Sequence, residues 1–349
     1  MRGAAEVRHG CDDLSESAMP GRFTRRRLLR AAVFRDAHSE QRPSETPAAK
    51  RVVTGQIDDV SPHVIILQTG AGEERIPLTP ATGAWRGGPV PPAALRHGDR
   101  AIVRRSGAAA DRIWAEIGRV TGTIIETDGP VLLVDESPAK GRKIVIIDGG
   151  SHRQIQVRFP RLDPGYLIDV IGLRRQGFLQ ALAPATAQPP YRAGHPPAPP
   201  LISGHIPDPV SGTAVWHEPG EEADDLLGLA YPALDPETSC EHGGAHGGTE
   251  PDLPAIDPHA VGPGCVQLPY LSVGSVVRVR NECSGRSAAL PVTSCGAACR
   301  LFCDRCVQCG TSPKGRIADL SMAAFVELGG ELEAGCFNAT LTMAGTGGT

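Results

Sequence analysis

Residues 315–325 read GRIADLSMAAF, and this stretch decides how the last third of the chain is interpreted. Apolar residues flank Asp319, and Ser321 precedes a short Ala-, Met- and Phe-containing run that Gly329 and Gly330 close. This pattern predicts a strand followed by a helix, with Asp319 at their junction. Two interpretations of Asp319 are open: its carboxylate belongs to a binding or catalytic site, or it only accepts backbone N–H bonds at the start of the helix.

The residues upstream of this stretch predict a β-hairpin. Residues 275–280 alternate Val with Arg, and residues 281–286 contain the Asn, Ser and Gly that are typical of a turn. A second strand follows over residues 287–292.

Five short motifs occur in order across the last quarter of the chain. They are DPHA at 257–260, LPY at 268–270, GSVVRVRN at 274–281, GRS at 285–287 and GRIADLS at 315–321. In order and spacing they resemble the double-psi β-barrel domain of rare lipoprotein A and, more distantly, the expansin and barwin-like proteins and related endoglucanases. The resemblance implies that residues 236–349 form such a barrel and that it engages the peptidoglycan of a bacterial cell wall.

The catalytic positions of that family are not retained. Its members cleave glycan strands with an acidic residue, a His and an Asp, whose positions here hold Pro254, Cys265 and Ser294. None of these can perform acid–base chemistry on a glycoside as the family's residues do. The resemblance therefore implies a barrel that binds carbohydrate without cleaving it in the family's manner. The residues assigned to that site are Asp319, Arg316, Tyr270 and Arg286.

Composition limits the classes of protein that remain. The 349 residues carry 35 Lys and Arg against 39 Asp and Glu, a balance that argues against a dedicated nucleic-acid binder. Aromatic residues are scarce, whereas 42 Gly and 32 Pro favour short strands and turns, and no apolar run approaches the roughly 20 residues of a membrane span. We expect an all-β, soluble protein of several domains that needs no cofactor.

An internal repeat occupies residues 51–185. Val-Thr-Gly-x-Ile at 53–57 recurs at 120–124, and Leu-x-x-Gly at 95–98 recurs at 162–165, both at an offset of 67 residues (Val53 to Val120). The strand and turn pattern predicts two tandem small β-barrels of the oligonucleotide/oligosaccharide-binding (OB) type, at 51–117 and 118–185, that correspond strand for strand. Either core packing or ligand stacking explains Trp85, Trp114 and Tyr166. For these two repeats the sequence indicates only an interaction module that contacts a protein partner.

Two further segments complete the chain. Residues 1–50 are predicted to be disordered, but TRRRLLR at 24–30 resembles a twin-arginine export motif that lacks the usual apolar core, so an export segment and a basic tail are both open. Residues 186–235 are rich in Pro and are predicted to form an extended linker, which Trp216-His217 and an acidic run at 221–225 interrupt.

Nine of the ten cysteines follow residue 239, which indicates a disulfide-stabilised domain in an oxidising compartment. The disulfide candidates are Cys240, Cys265, Cys283, Cys295, Cys299, Cys303, Cys306, Cys309 and Cys336. Because the last of the closely spaced cysteines follow a C-x-x-C-x-x-C pattern, a zinc site is the alternative. Its ligands are Cys299, Cys303, Cys306 and Cys309.

These observations lead to one functional hypothesis and two alternatives. The hypothesis is an exported cell-envelope protein that binds peptidoglycan or a related polysaccharide. The first alternative is an active lytic transglycosylase or glycoside hydrolase in which Asp319 acts as the acid. The second is a metal-binding scaffold built on the cysteine cluster.

Overall fold

The computed structural model describes residues 51–137, 140–187, 201–202, 209–218, 227–231, 268–296, 306 and 315–343. Strands dominate these residues, which confirms the all-β class. The N-terminal segment with its twin-arginine motif lies outside the described residues. None of the described helices combines the length and apolar character that crossing a membrane requires.

The first copy of the repeat, called repeat 1, forms an open seven-stranded sheet in the order β3-β2-β1-β6-β7-β4-β5. A 3-10 helix at Pro92–Ala94 precedes its second half. The strands are β1 Val52–Val60, β2 Val64–Thr69, β3 Gly72–Pro77, β4 Gly83–Trp85, β5 Pro89–Val90, β6 Arg100–Ser106 and β7 Ala109–Ala115.

The second copy, repeat 2, is a closed five-stranded barrel in the order β10-β12-β11-β8-β9. A helix between its third and fourth strands and a parallel pairing of its third and fifth strands give it the OB type of barrel. The strands are β8 Ile117–Asp128, β9 Val131–Ser137, β10 Gly141–Ile147, β11 Leu167–Arg175 and β12 Phe178–Pro184, and the helix is α1 Gly149–Arg158.

Five strands of each repeat correspond at the offset read from the sequence, but the prediction of a barrel is wrong for repeat 1, which forms an open sheet and has the additional strands β4 and β5. The first strand has a bulge between Ile57 and Asp59 in repeat 1 and between Ile124 and Glu126 in repeat 2. The repeated Gly has a steric cause: a Cβ at Gly122 would lie 2.1 Å from the carbonyl oxygen of Asp135 on the neighbouring strand, and at Gly55 it would meet Gln68 in the same way. The repeated motif therefore marks a close crossing of two strands.

The repeats differ at the edge of their last strand. In repeat 2 this edge pairs with β10 and closes the barrel. In repeat 1 the corresponding edge of β7 pairs in parallel with the short strand β4, which occupies the chain positions of the start of α1. The sheet of repeat 1 thus stays open because the segment between its third and fourth repeat strands forms strand β4, which pairs with the edge of β7 that would otherwise close the barrel.

The remaining strands form a closed six-stranded barrel in the order β14-β19-β15-β18-β17-β20, with mixed parallel and antiparallel pairs. Helix α2 Met322–Glu327 and a 3-10 helix at Leu332–Ala334 connect its last two strands. The strands are β14 Val210–His217, β15 Leu229–Tyr231, β17 Val276–Asn281, β18 Ser287–Cys295, β19 Arg316–Ser321 and β20 Cys336–Met343. The short strands β13 Leu201–Ile202 and β16 Leu268–Pro269 pair separately.

The six-stranded barrel corrects the predicted domain boundary. Strands β14 and β15 lie inside residues 186–235, which the composition had assigned to a linker, so the barrel begins at Val210 and not at 236. The physical reason is that the run of closely spaced prolines ends at Pro209, and residues 210–216 form an unbroken strand that is buried at almost every position.

One hydrophobic core joins both repeats to the six-stranded barrel. Trp85 and Trp114 of repeat 1 and Ile171 of repeat 2 pack with Trp216 and Phe325 of the barrel. Trp85 and Trp114 are buried, so core packing, and not ligand stacking, accounts for them. The repeats are therefore docked on the six-stranded barrel.

Charged side chains add to both interfaces. In repeat 1, Arg112 and the indole N–H of Trp114 donate to Glu333 of the barrel. In repeat 2, the buried carboxylate of Asp169 accepts from Arg119 at 2.5 and 2.8 Å and from Arg316 of strand β19 at 2.6 Å. The side chain of Arg316 is 1% exposed, so Arg316 joins two domains and does not face a glycan, contrary to its assignment as a binding residue.

Candidate functional site

Asp319 lies on the outer face of the six-stranded barrel. Trp216 and Leu320 belong to the hydrophobic core, and their strand neighbours Val215 and Asp319 alternate to the other face of the barrel wall. The start of helix α2 is capped by Ser321, whose hydroxyl accepts from the backbone N–H of Ala324. Asp319 therefore precedes the cap and is available for a different partner.

That partner is His217, at the end of strand β14. Its Nδ1 lies 3.2 Å from Oδ1 of Asp319, and the His217 side chain is 19% exposed whereas that of Asp319 is 10% exposed. The two residues meet because β14 and β19 pair in parallel, with Val215 opposite Asp319 and His217 opposite Ser321. The buried carboxylate thus orients an imidazole that reaches solvent.

The pKa of Asp319 lies well below its ordinary value. Burial alone would raise this pKa, but the charge of His217, the hydrogen bond between them and the nearby charges of Lys140 and Arg316 outweigh the burial. A carboxyl group that is ionised throughout the neutral range has no proton to donate. The role of general acid, which the hydrolase alternative assigned to Asp319, does not fit this environment.

A second carboxyl group approaches from repeat 2. Glu136, near the end of strand β9, has its Oε1 3.5 Å from the backbone N of Thr121. Burial, with a contribution from the negative charge of Glu218, raises the pKa of Glu136 to about 7, although Lys140 and Lys143 oppose the shift. Glu136 therefore exchanges a proton near neutral pH.

Glu218, which directly follows His217, contacts the same strand of repeat 2. Its carboxylate accepts from the backbone N–H of Arg119 at 2.9 Å and pairs with Arg174 at 3.2 Å. The backbone nitrogens of residues 119 and 121 are two positions apart on β8, which corresponds to about 7 Å along a strand. Glu136 and Glu218 therefore both contact strand β8, at backbone positions two residues apart.

We call these residues the junction cluster: Glu136, Lys140, His217, Glu218 and Asp319. Lys140 belongs to it because its charge lowers the pKa of both Glu136 and Asp319. The cluster lies where repeat 2 meets the six-stranded barrel, and it combines hydrogen-bond acceptors, a cationic donor and a group that titrates near neutral pH. Such a set can bind sugar hydroxyls and can also exchange protons.

The other residues predicted for the site lie elsewhere. Tyr270 follows the short strand β16, and Arg286 is exposed at the turn between β17 and β18. Among the described residues, neither Tyr270 nor Arg286 makes a hydrogen bond or an ion pair with Asp319. Within the described part of the chain, Asp319 alone of the four predicted residues belongs to the junction cluster.

One of the three replaced catalytic positions can be located. Ser294 pairs with Ala230, which pairs on its other side with Asp319. Ser294 and Asp319 are therefore two strands apart, about 10 Å, in one row of the barrel wall. Pro254 and Cys265 lie outside the described residues.

The cysteines divide into two kinds. Cys283 and Cys295 are disulfide-bonded, as predicted, and they lie at opposite ends of the β17–β18 hairpin, so each has a different partner cysteine. Cys306 and Cys336, also predicted as disulfide candidates, are instead thiols that pack around Val215 in a small buried cluster. Cys240, Cys265, Cys299, Cys303 and Cys309 lie outside the described residues.

The zinc alternative finds no support in the described part of the chain. Across these residues no group of three or more His, Cys, Asp or Glu side chains is arranged to hold a metal ion. Of the four proposed ligands, only Cys306 is described.

Sequence reasoning missed four of the five residues of the junction cluster. Glu136 carried a usable signal, because its counterpart in repeat 1 is Thr69 and the change introduces a charge at a position that repeat 1 keeps neutral. The sequence signal for His217 was weaker: it belongs to a Trp-His pair within an otherwise Pro-rich segment. A comparison with known proteins found no family model and no curated protein that matches this chain.

Proposed function

We propose that the chain binds cell-wall glycan, either peptidoglycan or a related polysaccharide, at the junction cluster. The observation that carries the proposal is the pairing of His217 with Asp319 at 3.2 Å on the outer face of the barrel, beside the charged groups of repeat 2. Carboxylates and an oriented imidazole are suited to the dense hydroxyl groups of a sugar.

The position of repeat 2 supports the same proposal. In OB-type barrels the second and third strands form the face that binds oligosaccharides and oligonucleotides. In repeat 2 these strands are β9 and β10, and Glu136 and Lys140 lie on or beside them. A glycan held by His217 would therefore also lie along the binding face of the barrel.

Export to the cell envelope is part of this proposal. Cys283 and Cys295 are disulfide-bonded, and disulfides persist mainly in oxidising compartments. The motif order that resembles rare lipoprotein A, together with a six-stranded barrel of mixed strand directions, supports cell-wall glycan as the ligand.

The test is co-sedimentation of the purified chain with insoluble peptidoglycan, with cellulose and chitin as alternative polysaccharides. We expect His217→Gln to weaken retention at least tenfold, because it removes the imidazole while leaving the fold in place. The matched control is Arg278→Ala, an exposed change on strand β17 of the same barrel, which should bind like the unmodified chain. Equal retention of His217→Gln and the unmodified chain would refute the proposed site.

A further inference from the structure

We propose that a cavity in repeat 2 binds a small apolar group that carries a carboxylate. The cavity has a volume of about 520 Å³ and lies between helix α1, the turn from β8 to β9 and residues 160–163. Cavities of this size are typical of small-molecule sites. Leu132 in its lining is four positions from Glu136 along strand β9, about 13 Å, so the cavity is separate from the junction cluster. Binding there does not depend on glycan binding.

The floor of the cavity is apolar. Leu132 of β9 and Ile147 of β10 are each 3% exposed, and Leu162 packs against the same core cluster while remaining partly exposed. Pro130 and Pro160 add further apolar surface to the lining. An aliphatic or aromatic group placed on this floor would remove apolar surface from water, which favours binding.

Polar side chains line the cavity from helix α1 and strand β8. His152 and Gln156 are one turn apart on the same side of α1, and Thr127 comes from the end of β8. Within the described ranges, none of these three side chains has a hydrogen-bond partner in the protein. Their donors and acceptors are therefore available to the polar part of a ligand.

Arg161 supplies the charge that selects a carboxylate. Its Nε donates to Oδ2 of Asp163 at 2.8 Å, and its guanidinium carbon lies 5.2 Å from the ring centroid of Tyr166. These two contacts orient the guanidinium and leave its Nη groups without a hydrogen-bond partner among the described residues. Paired guanidinium N–H groups bind the two oxygens of a carboxylate in one plane, so an oriented Arg161 favours an acid over a neutral ligand.

Repeat 1 provides an internal comparison, because the polar groups of the cavity have apolar counterparts there. At the offset of 67, the positions of Thr127, His152, Gln156 and Arg161 hold Val60, Trp85, Pro89 and Ala94. The counterpart of Leu162 is Leu95, which is only 4% exposed. The same region is thus covered and apolar in repeat 1, whereas repeat 2 opens it and lines it with ligand-binding groups.

The experiment titrates the isotope-labelled full chain with N-acetyl-L-leucine and follows its backbone amides by NMR. We expect saturable shifts in residues 127–132 and 152–163, and binding that is weaker by about tenfold or more for N-acetyl-L-leucinamide, which lacks the carboxylate. Equal binding of the acid and the amide would overturn the proposal. So would the absence of saturable shifts in these residues up to about 20 mM ligand.

Variants test the assignment of Arg161. Because its side chain is 56% exposed, Arg161→Gln should leave the fold in place and weaken binding of N-acetyl-L-leucine by about tenfold or more. The matched control is Arg142→Gln, an exposed change on β10 outside the cavity lining, which should bind like the unmodified chain. Equal binding by Arg161→Gln and the unmodified chain would refute Arg161 as the carboxylate partner.

A carboxylate of this kind ends a peptide chain or belongs to a free small acid, and a second ligand separates these sources. Binding of acetyl-Ala-Ala-Leu at least about fivefold tighter than N-acetyl-L-leucine would assign the cavity to a peptide C-terminus, and equal binding would assign it to a free acid. Binding of neither would overturn the proposal. Co-sedimentation of Arg161→Gln with peptidoglycan should match that of the unmodified chain, so failure of this site and failure of the glycan site are distinguishable.

Discussion

Repeat 1 and repeat 2 contact the six-stranded barrel through the same strand positions, but these positions hold apolar residues in repeat 1 and charged residues in repeat 2. At the offset of 67, Val52 and Ile102 of repeat 1 correspond to Arg119 and Asp169 of repeat 2. The first pair packs in the shared hydrophobic core, and the second forms a buried ion pair that also takes Arg316. At these positions the two repeats thus dock by different interactions, and the buried ion pair of repeat 2 lies beside the junction cluster.

The difference has a consequence for specificity. An apolar interface tolerates small shifts of one surface over another, whereas a buried carboxylate with two guanidinium partners is stable only when all three groups are correctly placed. The network around Asp169 therefore defines the position of repeat 2 on the barrel. That position is what brings Glu136 and Lys140 to His217.

The largest effect is expected from breaking this network. Asp169→Ala should lower the free energy of unfolding by about 3–5 kcal/mol, because Arg119 and Arg316 would remain buried without their shared carboxylate. Urea unfolding monitored by Trp fluorescence measures the change. A loss below about 1 kcal/mol would show that the network contributes little to the stability of the folded chain.

Replacing the network by the residues of repeat 1 sharpens the comparison. We expect the triple change Arg119→Val, Asp169→Ile and Arg316→Leu to recover most of the stability that Asp169→Ala loses, since buried ion networks replaced by apolar side chains of similar volume are often neutral. The same variant should bind glycan poorly if the network positions the cluster. Full stability with unchanged binding would contradict the positioning role.

A pH-dependent effect of somewhat smaller size is expected from Glu136, whose counterpart in repeat 1 is the neutral Thr69. The pKa of Glu136 is about 7 in the folded chain and near 4.5 when unfolded. Between these values the folded state binds the extra proton, so this group's contribution to stability is present below pH 4.5 and is lost as the pH rises through 7. Glu136→Gln should remove that loss.

The measurement is the free energy of unfolding at pH 5 and at pH 8 for both chains. The variant should gain on the order of 2 kcal/mol relative to the unmodified chain at the higher pH. The low pKa values of Asp319 and Asp169 do not interfere, because the stability they contribute is lost only as the pH falls below the ordinary Asp range. A pH dependence that is the same in both chains would contradict the assignment.

The polar contact of repeat 1 should matter less. Glu333 accepts from Arg112 and from the buried indole of Trp114, so Glu333→Ala leaves the indole N–H without this acceptor and should cost about 1.5–2 kcal/mol. Glu327 provides the control, because its ion pair within the described part of the chain is with the exposed Arg51 at 4.0 Å, and its change to Ala should cost well under 1 kcal/mol. Equal losses in the two variants would show that the indole contact adds nothing.

The repeat was predictable because its signals are local. The left-handed Gly98 and Gly165 recur at the same turn, and Gly55 and Gly122 recur where neighbouring strands cross. The short strand β4 was not predicted, because three residues are too few to show the alternation of polar and apolar side chains by which a strand is recognised.

The site was less predictable because its contacts join distant parts of the chain. Asp319 was singled out from its own stretch, but its partner His217 is 102 residues away. Strand β14, which carries His217, is buried on both faces, so it shows no alternation of polar and apolar residues. Arg316 was assigned to ligand binding from its place in the GRIADLS motif, and its actual partner, Asp169, lies 147 residues earlier in a different domain.

The smallest predicted effect concerns the connection that distinguishes the two repeats. In repeat 2, the hydroxyl of the buried Ser151 in helix α1 donates to the carbonyl oxygen of Ala181 on the last strand at 2.9 Å. The corresponding residue of repeat 1 is Ala84, and there the hydroxyl of Thr82 donates instead to Ala110 of the last strand at 2.7 Å. Each repeat thus fixes its third connection to its last strand by one buried hydroxyl.

The two hydroxyl groups have the same function, so a variant that removes its hydroxyl, Ser151→Ala, should be less stable than one that keeps it, Thr82→Ser. Ser151→Ala removes a hydrogen bond to a buried carbonyl and should lower the free energy of unfolding by about 1 kcal/mol. Thr82→Ser keeps its hydroxyl and loses only a methyl group, so it should cost less. Hydrogen exchange of the β12 amides should accelerate only in the first variant, since helix α1 packs against that strand; faster exchange in β7 instead would show that the two connections are not equivalent.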